Sequence, residues 1–247
     1  FAGNHIMINP DLLVRDGLLL KSDIEDYVTF SHNRVDYKTV TTYKENMLRR
    51  AYKHIHRKLE KDPEFERFCY ENAYWLEDYA LFITLKEYFH GVAWSDWPED
   101  LRYRKEETLR DWKEKLKDRI LMEKFFQFLF FKQWFSLKRY SNSKNIQIIG
   151  DIPIYVTYDS SDVWANPEFF KLDDAKKPML VAGVPPDYFS ATGQLWGNPV
   201  YKWDVLKETG SSWWLRRIEY NLKLFDIIRL DHFRGFVSYW EVPIGEK

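Results

Sequence analysis

Two short apolar runs that each close on an aspartate constrain this chain more than any other feature. Ile146-Gln147-Ile148-Ile149 ends in Gly150-Asp151, and Ile227-Ile228-Arg229-Leu230 ends in Asp231-His232-Phe233-Arg234-Gly235. Apolar runs this short, bounded by turn residues and charges, read as buried strands. A buried parallel strand delivers polar groups at its C-terminal end. A helical pattern over about 211–225, with Leu215, Ile218, Leu222 and Phe225 at helical spacing, precedes the second run. That order makes the two strands parallel neighbours joined by a right-handed crossover. Asp151 and Asp231 then emerge at one end of one sheet, which in a barrel is the end that holds the active site.

Before the first strand the chain reads as helix. Residues 10–40 mix short apolar pieces with Asp, Gly and Asn, which suits loops and one short helix. Helical spacing begins near Lys44 and carries Leu48, Ala51, Ile55 and Leu59. Asp62-Pro63 predicts a cap and a proline at the first position of the next helix, with Phe65, Phe68 and Cys69. A third helix is expected over about 72–90, stopped by Gly91. Dense charge over 99–118 reads as a solvated face. The Phe-rich stretch 121–140 is interrupted by Lys124, Gln127, Lys132 and Gln133, so it reads as a mostly buried helix and not a membrane span.

The totals exclude several function classes. Net charge is −1, which argues against a phosphate-driven nucleic-acid binder. One cysteine, Cys69, permits neither a disulfide framework nor a cysteine metal site, and it fits a reducing compartment. No apolar stretch reaches membrane-spanning length. His54 and His56 lie two apart on a helix and share no face, so they do not suggest a metal. P-loop, dinucleotide and G-x-S-x-G patterns are absent. Aromatic residues make up 18% of the chain, enough to supply both a core and a surface that stacks on flat ligands.

Two places carry candidate chemistry. Arg229 and Asp231, two apart on a strand, point to the same side, and an arginine at close range holds a carboxylate ionised. An oriented, ionised carboxylate is what a glycosidase-type nucleophile requires. A structural Arg–Asp pair at a strand end has the same appearance, and these residues leave both readings open. The second place is the stretch from Val184 to Pro199, read as a long loop without regular structure, which is uncommon unless functional. It pairs Tyr188, Phe189 and Trp196 with Asp187, Gln194 and Asn198. Flat apolar faces beside hydrogen-bonding groups suit sugars; aromatics packed onto the scaffold are the plain alternative.

Five segments in order make the chain recognisable: 148–156 (Ile-Ile-Gly-Asp-Ile-Pro-Ile-Tyr-Val), 159–167 (Asp-Ser-Ser-Asp-Val-Trp-Ala-Asn-Pro), 181–190, 193–199 and 229–235. Together with Glu71–Leu76 and Trp94–Pro98 they resemble the 4-α-glucanotransferases of glycoside hydrolase family 77, the amylomaltases or disproportionating enzymes. The resemblance runs over essentially the whole chain. It implies an α/β fold, a partial (β/α)8 TIM barrel with a large helical insertion. Residues 1–40 would form a barrel loop segment, 41–140 the helical insertion, and 141–247 barrel strands and active-site loops. It also implies transfer of α-1,4-glucan segments from a maltodextrin donor to a glucose or maltodextrin acceptor, by retaining double displacement and without cofactor or metal. Asp231 would be the nucleophile and Arg229 would orient it. Asp151, Asp187, Tyr188, Phe189, Gln194, Trp196, Asn198 and His232 would contact the sugars. The cytoplasm, or a plastid in a plant, is the implied location.

The pattern departs from the family after the nucleophile. Retaining chemistry needs a second carboxyl about 5–5.5 Å from the first, and only Glu241 and Glu246 follow Asp231, neither in the family's acid/base motif. The expectation is therefore an internal fragment of a longer enzyme, inactive alone. A retaining α-glucan hydrolase of the amylase type and a non-catalytic glucan-binding module remain as alternatives.

Overall fold

The computed structural model describes residues 1–24, 30–31, 33–188 and 190–246. In chain order the helices are α1 (Pro10–Arg15), α2 (Lys21–Ile24), α3 (Tyr37–Leu59), α4 (Pro63–Tyr88), α5 (Glu99–Arg102), α6 (Glu106–Lys115), α7 (Lys117–Ser143), α8 (Ser161–Ala165), α9 (Trp203–Glu208) and α10 (Ser212–Leu224). The strands are β1 (Ile149–Ile152), β2 (Leu180–Val184), β3 (Gln194–Pro199), β4 (Ile227–Leu230) and β5 (Trp240–Pro243). The fold is thus mixed helix and strand. It divides into two compact units, one of residues 2–81 with 116–140 and one of residue 1 with 82–115 and 141–247.

The first unit is helical. Its core gathers Ile8, Leu13, Met47, Leu48, Ala51, Phe65, Phe125, Phe126 and Leu129. Polar groups inside it are answered locally: Gln127 accepts from the Gly3 N–H at 2.8 Å and donates to the Gly3 carbonyl at 3.0 Å. At the start of α4 the expected cap is present, with Asp62 Oδ1 accepting from the N–H groups of Glu64 and Phe65 at 2.8 and 3.2 Å. The expected break near residue 70 is not. The chain stays helical from Pro63 to Tyr88 because Tyr70–Ala73 contains no Gly or Pro. Asn72, inside this helix, donates from its side chain to the Phe68 carbonyl one turn back at 2.8 Å. The stop itself falls at His90 and Gly91, both with positive φ, and the Gly91 N–H closes on the Lys86 carbonyl at 2.8 Å. Helix α3 begins at Tyr37, ahead of the apolar periodicity, because Asp36 caps it by accepting from the Thr39 N–H.

Among the described residues, the second unit holds the five strands. β1 and β4 pair in parallel, with Ile149 opposite Ile227, Gly150 opposite Ile228, Asp151 opposite Arg229 and Ile152 opposite Leu230. β1 starts three residues later than the apolar run. The Asp226 carboxylate takes the Ile148 N–H at 2.8 Å while the Ile148 carbonyl accepts from the Asp226 N–H at 2.9 Å, and Asp151 lies inside the strand, not after it. The stretch expected to be a long loop is an antiparallel sheet, ordered β3-β2-β5. β3 contains Gly197, Asn198 and Pro199, poor strand formers, and it exists because β2 offers an edge to pair with. The turn between them needs Gly193 at φ +76°, where a Cβ would lie 2.5 Å from the Val184 carbonyl oxygen.

Helix α10 turns a different face inward from the one its leucines suggested. Trp213, Trp214, Arg217 and Tyr220 are buried, while Leu215 and Leu222 are 60% and 52% exposed. The reason is an aromatic cluster: Tyr201 lies 5.7 Å from the rings of both Trp213 and Trp214, and Arg217 stacks over Trp214 at 4.8 Å. Arg217 also donates to the carbonyls of Pro153 (2.5 Å) and Ile154 (3.2 Å), which anchors the chain just beyond β1.

Candidate active site

The parallel register brings the charges together. Arg229 sits opposite Asp151 and grips it with two N–H donors, Nε to Oδ1 at 3.0 Å and Nη2 to Oδ2 at 2.5 Å. The same Nη2 lies 3.6 Å from Asp231 Oδ1. One guanidinium therefore ties the two carboxylates that the sequence placed at neighbouring strand ends. Its proton is held more firmly than usual, chiefly through the hydrogen bond to Asp151 and secondarily by the charges of Asp151 and Asp231. Asp231 is itself fixed by its backbone N–H, which donates to the Ile152 carbonyl at 2.9 Å.

After Asp231 the backbone turns sharply. His232 adopts a left-handed conformation, φ 48° and ψ 45°, and leads into a 3-10 turn over Phe233–Phe236. A non-glycine residue there is strained, and such strain persists only where its surroundings fix it. Here Trp196 of β3 meets the His232 ring edge-on, with centroids 5.1 Å apart. The indole is fixed in turn by its Nε1–H, which donates to Gln194 Oε1 at 2.9 Å.

These groups line one open cavity of about 480 Å³, formed by Val184, Pro185, Asp187, Gln194, Trp196, Asp231, His232 and Arg234. Five of the expected site residues thus meet in it: Asp187, Gln194, Trp196, Asp231 and His232. Asp151 and Arg229 join them through the ion pairs. Asp187 also organises the hairpin tip, where its carboxylate accepts from the Ser190 N–H at 2.8 Å. Tyr188 stands 97% exposed at that tip and is not among the lining residues. Asn198 faces away, donating to the Val156 carbonyl at 3.0 Å and tying β3 to the segment after β1. Phe189 lies outside the described residues. Arg234 was not picked out from sequence as a site residue. Its signal was its place in the charge cluster that closes the second apolar run, with Arg229, Asp231 and His232.

Among the described residues no group of His, Cys, Asp and Glu is arranged to hold a metal, and no helix is long and apolar enough to cross a membrane.

Comparison with known proteins bears on this arrangement. The family model described as 4-alpha-glucanotransferase matches residues 1–247. The 4-alpha-glucanotransferase of Aquifex aeolicus is 49% identical over the whole chain, and the match covers 49% of that protein. The chloroplastic/amyloplastic 4-alpha-glucanotransferase of Solanum tuberosum is 41% identical, again over the whole chain and 43% of its own length. Among solved structures, the amylomaltase of Streptococcus agalactiae in complex with acarbose superposes with a TM-score of 0.94 at 41% identity, over all of this chain and 50% of that one. The chain spans about half the length of the curated relatives it matches.

Proposed function

Because the chain belongs to the 4-alpha-glucanotransferase family, we propose that it carries the nucleophile side of such an enzyme's active site. The whole protein moves α-1,4-glucan segments from a maltodextrin donor to a glucose or maltodextrin acceptor. The observation that carries this reading is the single guanidinium of Arg229 joining Asp151 to Asp231 beside the cavity edged by Trp196.

In this reading Asp231 attacks the anomeric carbon and forms a covalent glucosyl ester, and the leaving chain departs with a proton from an acid. The acceptor 4-hydroxyl then gives that proton back to the same group, now a base, and displaces Asp231 with overall retention. Arg229 aims the nucleophile, its Nη2 lying 3.6 Å from Asp231 Oδ1. Asp151 fixes Arg229 and contacts the sugar. Trp196 stacks on a sugar face, and Asp187, Gln194 and His232 bind hydroxyls. The acarbose complex of the Streptococcus agalactiae amylomaltase supports a saccharide in this cavity. Glu241 is a poor acid/base, since both its oxygens are taken by Lys171 Nζ at 2.6 and 2.9 Å. We place the acid/base in the half of the relatives' length that this chain does not span.

We read β1 and β4 as adjacent strands of a (β/α)8 barrel, with 1–40 as a loop segment, 41–140 as a helical insertion and 141–247 as barrel strands and loops. Parallel pairing across a crossover that includes α10 supports this. We place the protein in the cytoplasm, or in a plastid if it comes from a plant. The test is incubation of the full-length protein with maltotriose. Transfer yields glucose together with oligomers longer than the substrate, whereas water as acceptor yields only shorter sugars. Asp231→Asn should abolish both products while leaving maltodextrin binding intact, because the amide keeps the shape and loses the nucleophile. Activity of that variant within about tenfold of wild type would remove Asp231 from the role.

A further inference from the structure

We infer that Gly235 is a positioning residue for His232: its missing side chain leaves the imidazole room to fold back over the turn and meet Trp196 beside Asp231. The inference rests on the glucanotransferase reading only where activity is the readout. Gly235 is buried in the 3-10 turn, and its N–H closes the turn on the His232 carbonyl at 2.8 Å. A Cβ at residue 235 would lie 3.1 Å from His232 Cδ2 and 3.7 Å from Nε2. The first distance is tighter than a relaxed carbon–carbon contact, so the ring would have to yield. The ring also meets Trp196 in an edge-on contact, with centroids 5.1 Å apart. Its backbone is already in a strained left-handed well. A methyl group at 235 therefore moves the imidazole, and with it the indole, both of which line the cavity.

A competing consequence of the same methyl must be separated. The added Cβ would also come within 2.5 Å of Ile154 Cδ1, a buried side-chain terminus. Ile154→Val deletes that atom and leaves the His232 contact untouched. In the full-length protein, I154V alone should stay within about twofold of wild type in kcat/KM for maltotriose, as a small volume loss away from the cavity. G235A and I154V/G235A should both lose on the order of tenfold, the scale of a sub-ångström misplacement at a reacting site. In an H232A background, G235A should cost nothing further, because the coupled partner is gone. Recovery of activity when I154V is added to G235A would overturn the inference, as would an equal loss in the H232A background. Imidazole C–H resonances supply a readout independent of activity, the His232 signal being assigned by its absence from H232A. That signal should move between I154V and I154V/G235A, and an unchanged position overturns the inference. If the wild-type protein fails to disproportionate maltotriose, the glucanotransferase reading falls and the resonances alone decide the role of Gly235.

Discussion

Arg229 and Asp151 are 78 positions apart in sequence, yet they face each other across the parallel β1–β4 pair with two hydrogen bonds of 3.0 and 2.5 Å. The looser contact, 3.6 Å, is the one to Asp231, two residues along the same chain. Local spacing placed Arg229 beside Asp231; the register made Asp151 its closer partner. The guanidinium is thus aimed by one carboxylate while it faces another.

This bridge predicts that Arg229→Lys is not conservative. An ammonium cannot reproduce the two-pronged grip and is free to leave Asp231. In the full-length protein kcat for maltotriose transfer should fall on the order of a hundredfold with little change in KM. Both groups are solvent-accessible, so the residual activity should also decline as salt is raised. A lysine variant with unaltered kcat would show that the bridge is structural only.

Trp196→Ala should act on binding. Trp196 is 37% exposed and lines the cavity, where its indole can meet a sugar face. Its loss should weaken maltodextrin affinity by about 1–3 kcal/mol, measured by titration calorimetry on the Asp231→Asn background. Equal affinity with and without the ring would assign the tryptophan to packing against His232 alone.

Asp62→Ala should destabilise the helical unit by about 1 kcal/mol, the usual worth of an N-cap. Asp62→Asn, which keeps an acceptor for the Glu64 and Phe65 N–H groups, should be close to neutral. Urea denaturation of the three proteins checks the order. Equal midpoints for the alanine and wild-type forms would mean that Pro63 alone starts the helix.

Cys69 should be inert to thiol reagents. Burial pushes its thiol up to about 11, with Lys124 opposing and Glu77 reinforcing the shift. At pH 8 only about a thousandth of it is thiolate, the reactive form. Peptide mapping after brief iodoacetamide treatment should find Cys69 unmodified at pH 8 and modified after unfolding. Rapid native labelling would contradict the burial.

The 247-residue chain made alone should self-associate and fail to transfer maltotriose. Ile149 and Ile227 on the β1–β4 pair are 65% and 44% exposed, and Leu215 and Leu222 on α10 are more than half exposed. Two strands with bare edges and apolar side chains in water are an association hazard. Light scattering and binding of a hydrophobic dye report it directly; a clean monomer without dye binding would refute the expectation.

What the sequence determined by itself was local or carried by motif. Asp62-Pro63 announced the start of α4 because capping uses only the next three residues. Gly91 announced its end, and the run Ile227–Leu230 announced a strand that ends in charge. The quoted segments also pointed to the family that the chain belongs to, since motif order survives where contacts cannot be seen. The tertiary structure decided the rest. β3 is a strand because β2 supplied an edge. The Trp face of α10 turned inward because Tyr201 and two backbone carbonyls lay there to receive Trp213, Trp214 and Arg217. Arg229 found Asp151 for the same reason: periodicity says which side of a strand a residue faces, but only the register of a partner far along the chain says what it meets.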